Sequence, residues 1–427
     1  MIIATLLGVM MLVMLLGFPK LVAMILAPLV VMLIWYPFLD PMLLVQQLVS
    51  GVNSFVMLAI PLFIFAADIM SRGQIASRMI NMVRSCMGRL PGGMAVSASG
   101  ACLAFGAVSG STMATLAAIG RPLYGPLRKA GYSESHALGM LVTNATISLL
   151  IPPSIALILY AISTGTSVGE LFIAGIAPGI LMFLAWASYD VVFAKIKKVG
   201  RAENPATFKE ALVAIRKSLL PLGFPVVILG GIYSGIFSPT EAAAISVLYA
   251  IILEVVIYRS LKFKDLPRIA LGSSMVTAAV YILVAGGQAF SWVITFARVP
   301  HMLVSGVFGP DPSPLNVLIV VTIIFFVACM FLDSIPVIII LGPIFAPVAA
   351  QAGVDPIHMG IIVVFQAALS CVTPPFGCNI FTAVGIFNKP VLTVLKGTIP
   401  YVLIGIGLSI IFIFFPGVAL FSRNLFF

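Results

Sequence analysis

Charged side chains are scarce in this sequence, since Asp, Glu, Lys and Arg together make up only 8% of its 427 residues. The three histidines are far apart and form no His-Glu-x-x-His motif, which disfavours an intramembrane zinc enzyme. The five cysteines show no metal-site spacing and lie in or near apolar segments, which indicates buried thiols rather than disulfides. The formal net charge of +10 comes from basic residues in short loops, a pattern typical of membrane topology and not of nucleic-acid binding.

Apolar residues are abundant instead and account for 61% of the chain. Runs of about 18 apolar residues recur throughout, and a helix of about 20 residues crosses a bilayer. These runs exclude a soluble globular protein and predict an all-α polytopic membrane protein. Residues 1–17 lack both a basic start and a small-residue cleavage site, so we interpret them as a retained first span. The basic loops then place the N-terminus on the outer side of the membrane.

Residues 92–120 are too short to cross a bilayer twice, and basic clusters stand on both sides of them. The positive-inside rule places both clusters in the cytoplasm, which a single crossing would forbid. We therefore predict a re-entrant hairpin that turns at residues 109–112. Residues 137–163 follow with spanning length, but Pro152 and Pro153 end the helix inside them. We predict a broken helix there, since unwound backbone at membrane depth must face protein or water.

The second half of the chain repeats this order. Residues 315–341 form another long apolar stretch, and residues 358–387 contain Pro374 and Pro375, which lie 222 positions after the first proline pair. Residues 342–356 after the second stretch contain no Lys or Arg, and residues 291–314 before it contain only Arg298, so we predict that this hairpin enters from the outer face. Each half then has five crossings and one hairpin, and an odd number of crossings inverts the second half. Inverted repeats with broken helices are typical of secondary transporters.

The longest polar stretch, residues 195–217, marks the boundary between the two halves. We interpret it as a cytoplasmic linker between a first repeat, residues 1–194, and a second repeat, residues 218–427. Residues 71–91 carry arginines at four positions and predict an amphipathic segment on the cytoplasmic membrane surface, with a solvated basic loop as the alternative. These arginines are Arg72, Arg78, Arg84 and Arg89.

Seven segments resemble motifs of the large membrane subunit of tripartite ATP-independent periplasmic (TRAP) transporters, and they are spread over essentially the whole chain. The segments are Ser109-Gly110-Ser111, Leu150-Ile151-Pro152-Pro153-Ser154, residues 170–179, residues 238–244, Phe331-Leu332-Asp333, residues 353–358 and Thr373-Pro374-Pro375. The resemblance implies the ion transporter superfamily fold and sodium-driven import of an organic acid through a bacterial inner membrane. It also implies an elevator mechanism, in which we expect residues 92–164 and 315–387 to move against the remaining helices.

The resemblance further implies two protein partners. One is a small four-helix membrane subunit, and the other is a soluble periplasmic protein that binds the substrate and delivers it. C4-dicarboxylates, sialic acid and other sugar or keto acids are the substrates of such families. A stand-alone sodium–carboxylate symporter of the same superfamily fold is the alternative, and dependence on the soluble binding protein distinguishes the two. No nucleotide-binding loop supports an ATP-driven permease, and a channel would not need paired broken helices.

Sodium is a hard cation that prefers oxygen ligands, and we expect at least two sodium ions. The hairpin tips and broken helices supply hydroxyls and freed carbonyls with little fixed charge. The predicted first sodium site contains Ser109, Thr112, Ser148, Ile151 and Pro153, and the predicted second site contains Leu332, Asp333, Ser370, Thr373 and Pro375. For each hydroxyl the alternative role is a hydrogen bond to its own helix, and for Asp333 it is a helix cap.

The substrate is expected between the two hairpin tips, where broken-helix N-termini favour a carboxylate. The predicted substrate residues are Ser111, Asn144, Thr146, Asn379 and Thr382. Arg298 is a further candidate at the outer face, with a lipid headgroup as its alternative partner. Sodium is the only metal that we expect, and we assign Glu241 to a helix cap.

Overall fold

The computed structural model describes residues 1–88, 92–200, 207–299, 302 and 312–426. All regular secondary structure within these residues is helical, and eight helices among them are long and apolar enough to cross a membrane. The predicted all-α polytopic membrane fold is therefore confirmed. Arg89 and the middle of the predicted linker, residues 201–206, lie outside the described residues.

Five helices form the first part of the chain. They are α1 (Ile2–Leu15), α2 (Lys20–Trp35), α3 (Met42–Val52), α4 (Ala59–Arg72, after a 3-10 turn at Phe55–Leu58) and α5 (Ile75–Met87). α5 is amphipathic, because Ile75, Met79 and Val83 bury one face. The buried carboxylate of Glu254 accepts hydrogen bonds of 2.9 Å from the backbone N–H groups of Gln74 and Ile75. A residue far along the chain thus caps α5.

The first hairpin turns where the sequence predicts. Its arms are α6 (Gly93–Ser109) and a continuous second arm made of α7 (Thr112–Thr115), a π-helical turn (Leu116–Gly120) and α8 (Arg121–Lys129). Gly110 between the arms has a φ of +58°, a left-handed conformation that favours glycine. The second arm continues past residue 120 to Lys129, and its basic last turn complements the helix dipole.

The first broken helix is interrupted at the predicted proline pair. It consists of α9 (Glu134–Asn144), a 3-10 turn (Ala145–Leu149) and α10 (Ile155–Thr164), and it is followed by α11 (Val168–Lys197). Ser154 begins α10 as its N-cap, because its hydroxyl accepts a 3.3 Å hydrogen bond from the Leu157 N–H. The same hydroxyl donates to the Leu149 carbonyl at 2.5 Å and so joins the two pieces.

In the second half, three long helices are followed by a hairpin, a broken helix and a further long helix, which repeats the order of the last elements of the first half. The elements of the second half are α12 (Phe208–Tyr233), α13 (Pro239–Ile251, with a π-helical turn at Ile252–Ile257), α14 (Leu266–Phe296), the hairpin of α15 (Pro314–Phe331) and α16 (Ser334–Gln351), the broken helix of α17 (Pro356–Ser370) and α18 (Cys378–Phe387), α19 (Val391–Phe414), α20 (Pro416–Ala419) and α21 (Phe421–Phe426). α12 begins inside the predicted linker because Thr207 and Glu210 form a capping box. Glu241 caps α13 in the same way, as predicted.

The helices pack in two groups. In the first group, the broken helices join the two halves: α10 lies against α16, and α18 lies against α9 and the first hairpin. Two long helices pack on them, since α11 lies on α6 and α17 and α19 lies on α9 and α17. In the second group, α1 to α5 and α12 to α14 pack mainly on one another. The two groups meet chiefly where α5 lies on α6 and where α14 lies on α16. Both hairpins and both broken helices therefore belong to one packed body.

Candidate functional site: two hairpin–helix junctions

The tip of the first hairpin packs directly on the break in the first broken helix. We call this contact, formed by residues 106–115 and 148–154, the first junction. A Cβ built on Gly110 would lie 2.1 Å from the Pro153 carbonyl oxygen, and a Cβ built on Gly106 would lie 2.9 Å from the Cα of Ser148. Backbones approach this closely only where a side chain is missing. The two elements of the predicted first sodium site are therefore in contact.

Three buried hydroxyl side chains lie on the hairpin side of the first junction. Ser109, Thr112 and Thr115 are all buried, and the hydroxyls of Ser109 and Thr115 lie 2.7 Å apart. The sequence interpretation omitted Thr115. It could have been found from its position, because it follows Thr112 by three residues and so shares its helix face.

The broken helix supplies the remaining oxygens of the first junction. The Ser148 hydroxyl donates to the Ala145 carbonyl at 2.7 Å, as the alternative role predicted. A hydroxyl that donates its proton keeps its lone pairs, so this hydrogen bond leaves Ser148 able to bind a cation. Within the described part of the chain, no hydrogen bond ends on the carbonyl oxygen of Ile151 or Pro153. Both carbonyls are therefore available as ligands.

The second hairpin meets the second broken helix in a comparable contact. We call this contact, formed by residues 330–334 and 370–377, the second junction. The Phe376 N–H donates a 3.2 Å hydrogen bond to the carbonyl of Met330, which ties the unwound stretch to the hairpin tip. Pro152–Pro153 and Pro374–Pro375 are both cis, so the two unwound stretches share a backbone feature as well as a position in the repeat.

The hydroxyls of the second junction are also back-bonded. The Ser370 hydroxyl lies 2.6 Å from the Gln366 carbonyl of its own helix and 2.9 Å from the Phe326 carbonyl of the hairpin. The Thr373 hydroxyl donates to the Leu369 carbonyl at 2.8 Å. Both hydroxyls keep lone pairs for a cation. Among the described residues, the carbonyl oxygens of Leu332 and Pro375 accept no hydrogen bond. The oxygen types at the second junction thus match those at the first.

Asp333 distinguishes the second junction because it carries the junction's carboxylate. Its Oδ1 accepts a 2.7 Å hydrogen bond from the Ser334 N–H, so the capping role predicted as its alternative is present. The cap occupies one carboxylate oxygen, and the other can still face a cation. Ser334 was omitted from the sequence-predicted site although it is buried, with its hydroxyl 3.2 Å from the Cys371 sulfur.

The five predicted substrate residues are only partly brought together. The Asn379 side-chain amide donates to the Val142 carbonyl at 3.2 Å, which links the second broken helix to the first. Asn144 lies two residues further along and has a buried side-chain oxygen without a hydrogen-bond partner in the described structure. Thr146 and Thr382 each donate to their own helix at 2.8 Å. Ser111 lies in the first junction, where its N–H is 3.5 Å from the Ser109 hydroxyl.

A buried polar network fastens the neighbouring helices to the first broken helix. The Tyr401 hydroxyl of α19 donates to Oδ1 of Asp190 in α11 at 2.5 Å, and Nε2 of His136 in α9 lies 3.4 Å from the same oxygen. The His136 ring stacks on Phe193 with a centroid distance of 3.8 Å. This network joins three helices without reaching either junction, so we assign it a positioning role.

Comparison with known proteins identifies the family. Residues 7–418 match the family described as "Tripartite ATP-independent periplasmic transporter, DctM component". The chain belongs to the DctM family. This membership confirms the resemblance to TRAP large membrane subunits and makes the chain a transport protein, not an enzyme.

Two similar DctM-family relatives cover nearly the whole chain. The ectoine TRAP transporter large permease protein TeaC of Halomonas elongata is 47% identical, and the match covers 99% of this chain and 98% of the relative. The ectoine/5-hydroxyectoine TRAP transporter large permease protein UehC of Ruegeria pomeroyi is 45% identical, with 99% of each chain covered. Among solved structures, the Alcanivorax borkumensis YdaH transporter shares the fold, with a TM-score of 0.62, 13% identity, and 88% of this chain and 87% of that chain covered.

Proposed function

We propose that this DctM-family chain is the ion-coupled, substrate-moving subunit of a sodium-driven TRAP importer. The observation that carries the proposal is the pair of junctions, each of which packs a hairpin tip on a broken helix and presents hydroxyl and carbonyl oxygens. Such oxygens suit a hard cation of low charge. In the described residues, no cluster of three or more His, Cys, Asp and Glu side chains is placed to hold a transition metal.

Each junction would bind one sodium ion. At the first junction, the hydroxyls of the hairpin and the two free carbonyls would surround the ion. At the second junction, Asp333 would add a full negative charge. Moving one elementary charge across the membrane is worth about 2.3 kcal/mol per 100 mV. Two sodium ions would therefore leave one net positive charge with a monoanionic carboxylate and two with a zwitterion, and in both cases the membrane potential would drive accumulation.

For the substrate, we place ectoine first. Both relatives described above carry ectoine in their names, and ectoine is a small zwitterion with one carboxylate and one N–H-bearing cation. The buried side-chain oxygen of Asn144 has no hydrogen-bond partner in the described structure and could accept such an N–H. Sialic acid and C4-dicarboxylates, the substrates expected from the sequence, are the competing candidates.

The moving body in this proposal is larger than the two segments expected from the sequence. α11 and α19 pack on the broken helices, and the Asp190–Tyr401 hydrogen bond joins them to each other. We therefore propose that α6 to α11 and α15 to α21 move together against α1 to α5 and α12 to α14. The bacterial inner membrane is the proposed location, with the N-terminus outside. A small membrane subunit and a periplasmic binding protein are the proposed partners.

A disulfide across the two helix groups tests the moving body. A Cβ built on Gly287 of α14 would lie 3.1 Å from the Cβ of Ile339 in α16, close to the distance of about 3.5–4.5 Å that a disulfide needs. The Gly287→Cys/Ile339→Cys variant should lose uptake when oxidised and regain it when reduced. The variants Gly287→Cys and Ile339→Cys, each made alone and oxidised in the same way, are the controls, because they keep the same five native cysteines. Undiminished uptake with the cross-link formed would rule the elevator out.

Uptake into proteoliposomes tests the function itself. The chain and its small membrane subunit would be reconstituted with or without the binding protein and with or without an inward sodium gradient. Labelled ectoine, sialic acid and C4-dicarboxylates form the panel. We expect ectoine uptake that needs both sodium and the binding protein. Uptake that needs sodium but no binding protein would favour the stand-alone symporter, and sodium-independent uptake would contradict the proposed coupling.

Two glycine variants connect this assay to the first junction. Gly110→Ala should abolish uptake, because the added Cβ would collide with the Pro153 carbonyl and the left-handed backbone would be strained. Gly125→Ala in α8 is the matched control, because no atom lies within 4 Å of its added Cβ. Equal uptake by the two variants would remove the first junction from the mechanism.

A further inference from the structure

An apolar cavity of about 310 Å³ lies between the two helix groups. Its walls are α1 and the end of α14 on one side and the two arms of the second hairpin on the other, with Met10, Ile294, Ala328 and Phe345 among its lining residues. All sixteen lining residues are apolar. A site without a single polar side chain offers nothing to sodium or to a zwitterionic substrate, so this cavity is separate from the proposed transport sites.

The helices that form the cavity also present apolar side chains to the outside. Met11 in α1 is exposed beside the lining residue Met10, and Ile323 and Val327 in α15 are exposed beside lining residues. α14, α15 and α16 each have the length and composition of a membrane span. The surroundings of the cavity are therefore the hydrocarbon region of the bilayer, where lipid chains are the abundant apolar molecules.

Arg298 places a positive charge next to this apolar space. Arg298 follows the end of α14 and lies between the lining residues Ala297 and Val299. It is exposed, and within the described part of the chain no carboxylate pairs with it. Residues 269–388 contain no other Lys or Arg. An exposed guanidinium suits a phosphate, which it can bind through two parallel hydrogen bonds.

We propose that this cavity binds one acyl chain of an anionic phospholipid whose phosphate is held by Arg298. Charge and shape together select this occupant, because the apolar space continues into the bilayer and Arg298 places a cation beside it at the end of a spanning helix. The acyl chain would lie between α1 and α14 on one side and the second hairpin on the other. It would also contact Leu332, which directly precedes Asp333 at the second junction.

Lipid counting on the purified complex tests the proposal. The two membrane subunits would be reconstituted in nanodiscs of equal phosphatidylglycerol and phosphatidylcholine, extracted, washed in detergent and weighed by native mass spectrometry. Ala328→Phe fills the cavity, and Ala328→Leu fills it less in case the larger side chain impairs folding. Ala278→Phe, on the exposed face of α14, is the matched control. Arg298→Gln and Arg298→Lys separate the role of the charge from that of the cavity.

We expect the unmodified complex and the Ala278→Phe control to retain one more phosphatidylglycerol than either position-328 variant. Arg298→Gln should lower the preference for phosphatidylglycerol over phosphatidylcholine about tenfold, and Arg298→Lys should keep most of it. Equal lipid retention by the position-328 variants and the control would overturn the cavity assignment. A preference unchanged in Arg298→Gln would overturn the assignment of Arg298 to the phosphate. A bound polypeptide in place of the lipid, lost in the position-328 variants, would overturn the assignment of the cavity to a lipid.

Discussion

Gly397 of α19 occupies the place where a side chain of Gly139 in α9 would stand. A Cβ built on Gly139 would lie 2.1 Å from the Gly397 carbonyl carbon, and a Cβ built on Gly397 would lie 1.9 Å from the Ser135 carbonyl oxygen. The two helices therefore touch backbone to backbone. This contact seats α19 on the first broken helix and is one reason for including α19 in the moving body.

Gly397→Ala should force the two helices apart. Overpacking of this kind costs about 1–3 kcal/mol, so we expect a lower melting temperature of the purified complex. Gly407→Ala in the same helix is the matched control, because its added Cβ meets nothing within 4 Å. The close-contact interpretation would be wrong if both variants melted at the same temperature.

Removing hydroxyls at the first junction should weaken sodium binding. Ser109→Ala and Thr115→Val each take away one candidate ligand, and a loss of about 1–2 kcal/mol would raise the half-activating sodium concentration roughly 5–30-fold. Uptake measured over a range of sodium concentrations gives this value. Thr277→Ala is the control, since its hydroxyl donates to the Ser273 carbonyl of α14, away from both junctions. A shift of equal size in the control would argue against a local sodium site.

Tyr401→Phe should destabilise the positioning network. The change removes the 2.5 Å hydrogen bond to the fully buried Asp190 side chain, and leaving a buried polar group without its partner costs about 1–3 kcal/mol. Thermal unfolding is the measurement. Tyr249→Phe is the matched control, because its hydroxyl donates to the Leu220 carbonyl at an exposed position. We expect the larger loss of stability at position 401, and the opposite order would contradict the assigned role.

Acid should weaken the contact between α21 and the N-terminus of α17. Burial alone would raise the pKa of Asp355, but hydrogen bonds from Arg423 and from the N–H groups of His358 and Ile357 outweigh burial and hold that pKa below its ordinary value. The folded pKa lies below the unfolded one, so the stabilisation is present above the unfolded pKa of about 3.9 and is lost as the pH falls through the folded value.

We therefore expect the melting temperature to fall on acidification below about pH 4, and to fall less in Asp355→Asn. The pair is partly exposed, so the difference should be about 0.5–1 kcal/mol. Lys264→Gln removes an exposed positive charge elsewhere and should retain the unmodified pH dependence. An identical pH dependence in Asp355→Asn would show that the Arg423 contact contributes nothing.

Local signals predicted the parts of the candidate site that short segments determine. The proline pairs break their helices whatever the surrounding tertiary structure is, and Gly110 is needed for the turn of the first hairpin. Both junctions could therefore be located from the sequence. Contacts between distant segments gave no such signal. The Asn379 bond to Val142 and the Tyr401 bond to Asp190 join residues 237 and 211 positions apart, and each depends on how whole helices pack. For the same reason, the packing of α11 and α19 with the hairpins could not be read from charge and length.

Several oxygens at the two junctions belong to the main chain, in particular the carbonyls of Ile151, Pro153, Leu332 and Pro375. Side-chain replacement leaves a carbonyl oxygen in place, so an alanine scan would register Ile151 and Leu332 as tolerant even if their carbonyls bind the ion, and at Pro153 and Pro375 it would report only the loss of the proline ring. The informative change is chemical: an α-hydroxy acid at the following position, introduced by an expanded genetic code, turns the carbonyl into an ester carbonyl, which is a weaker acceptor. Tolerance of substitution at these positions is therefore no measure of their importance to transport.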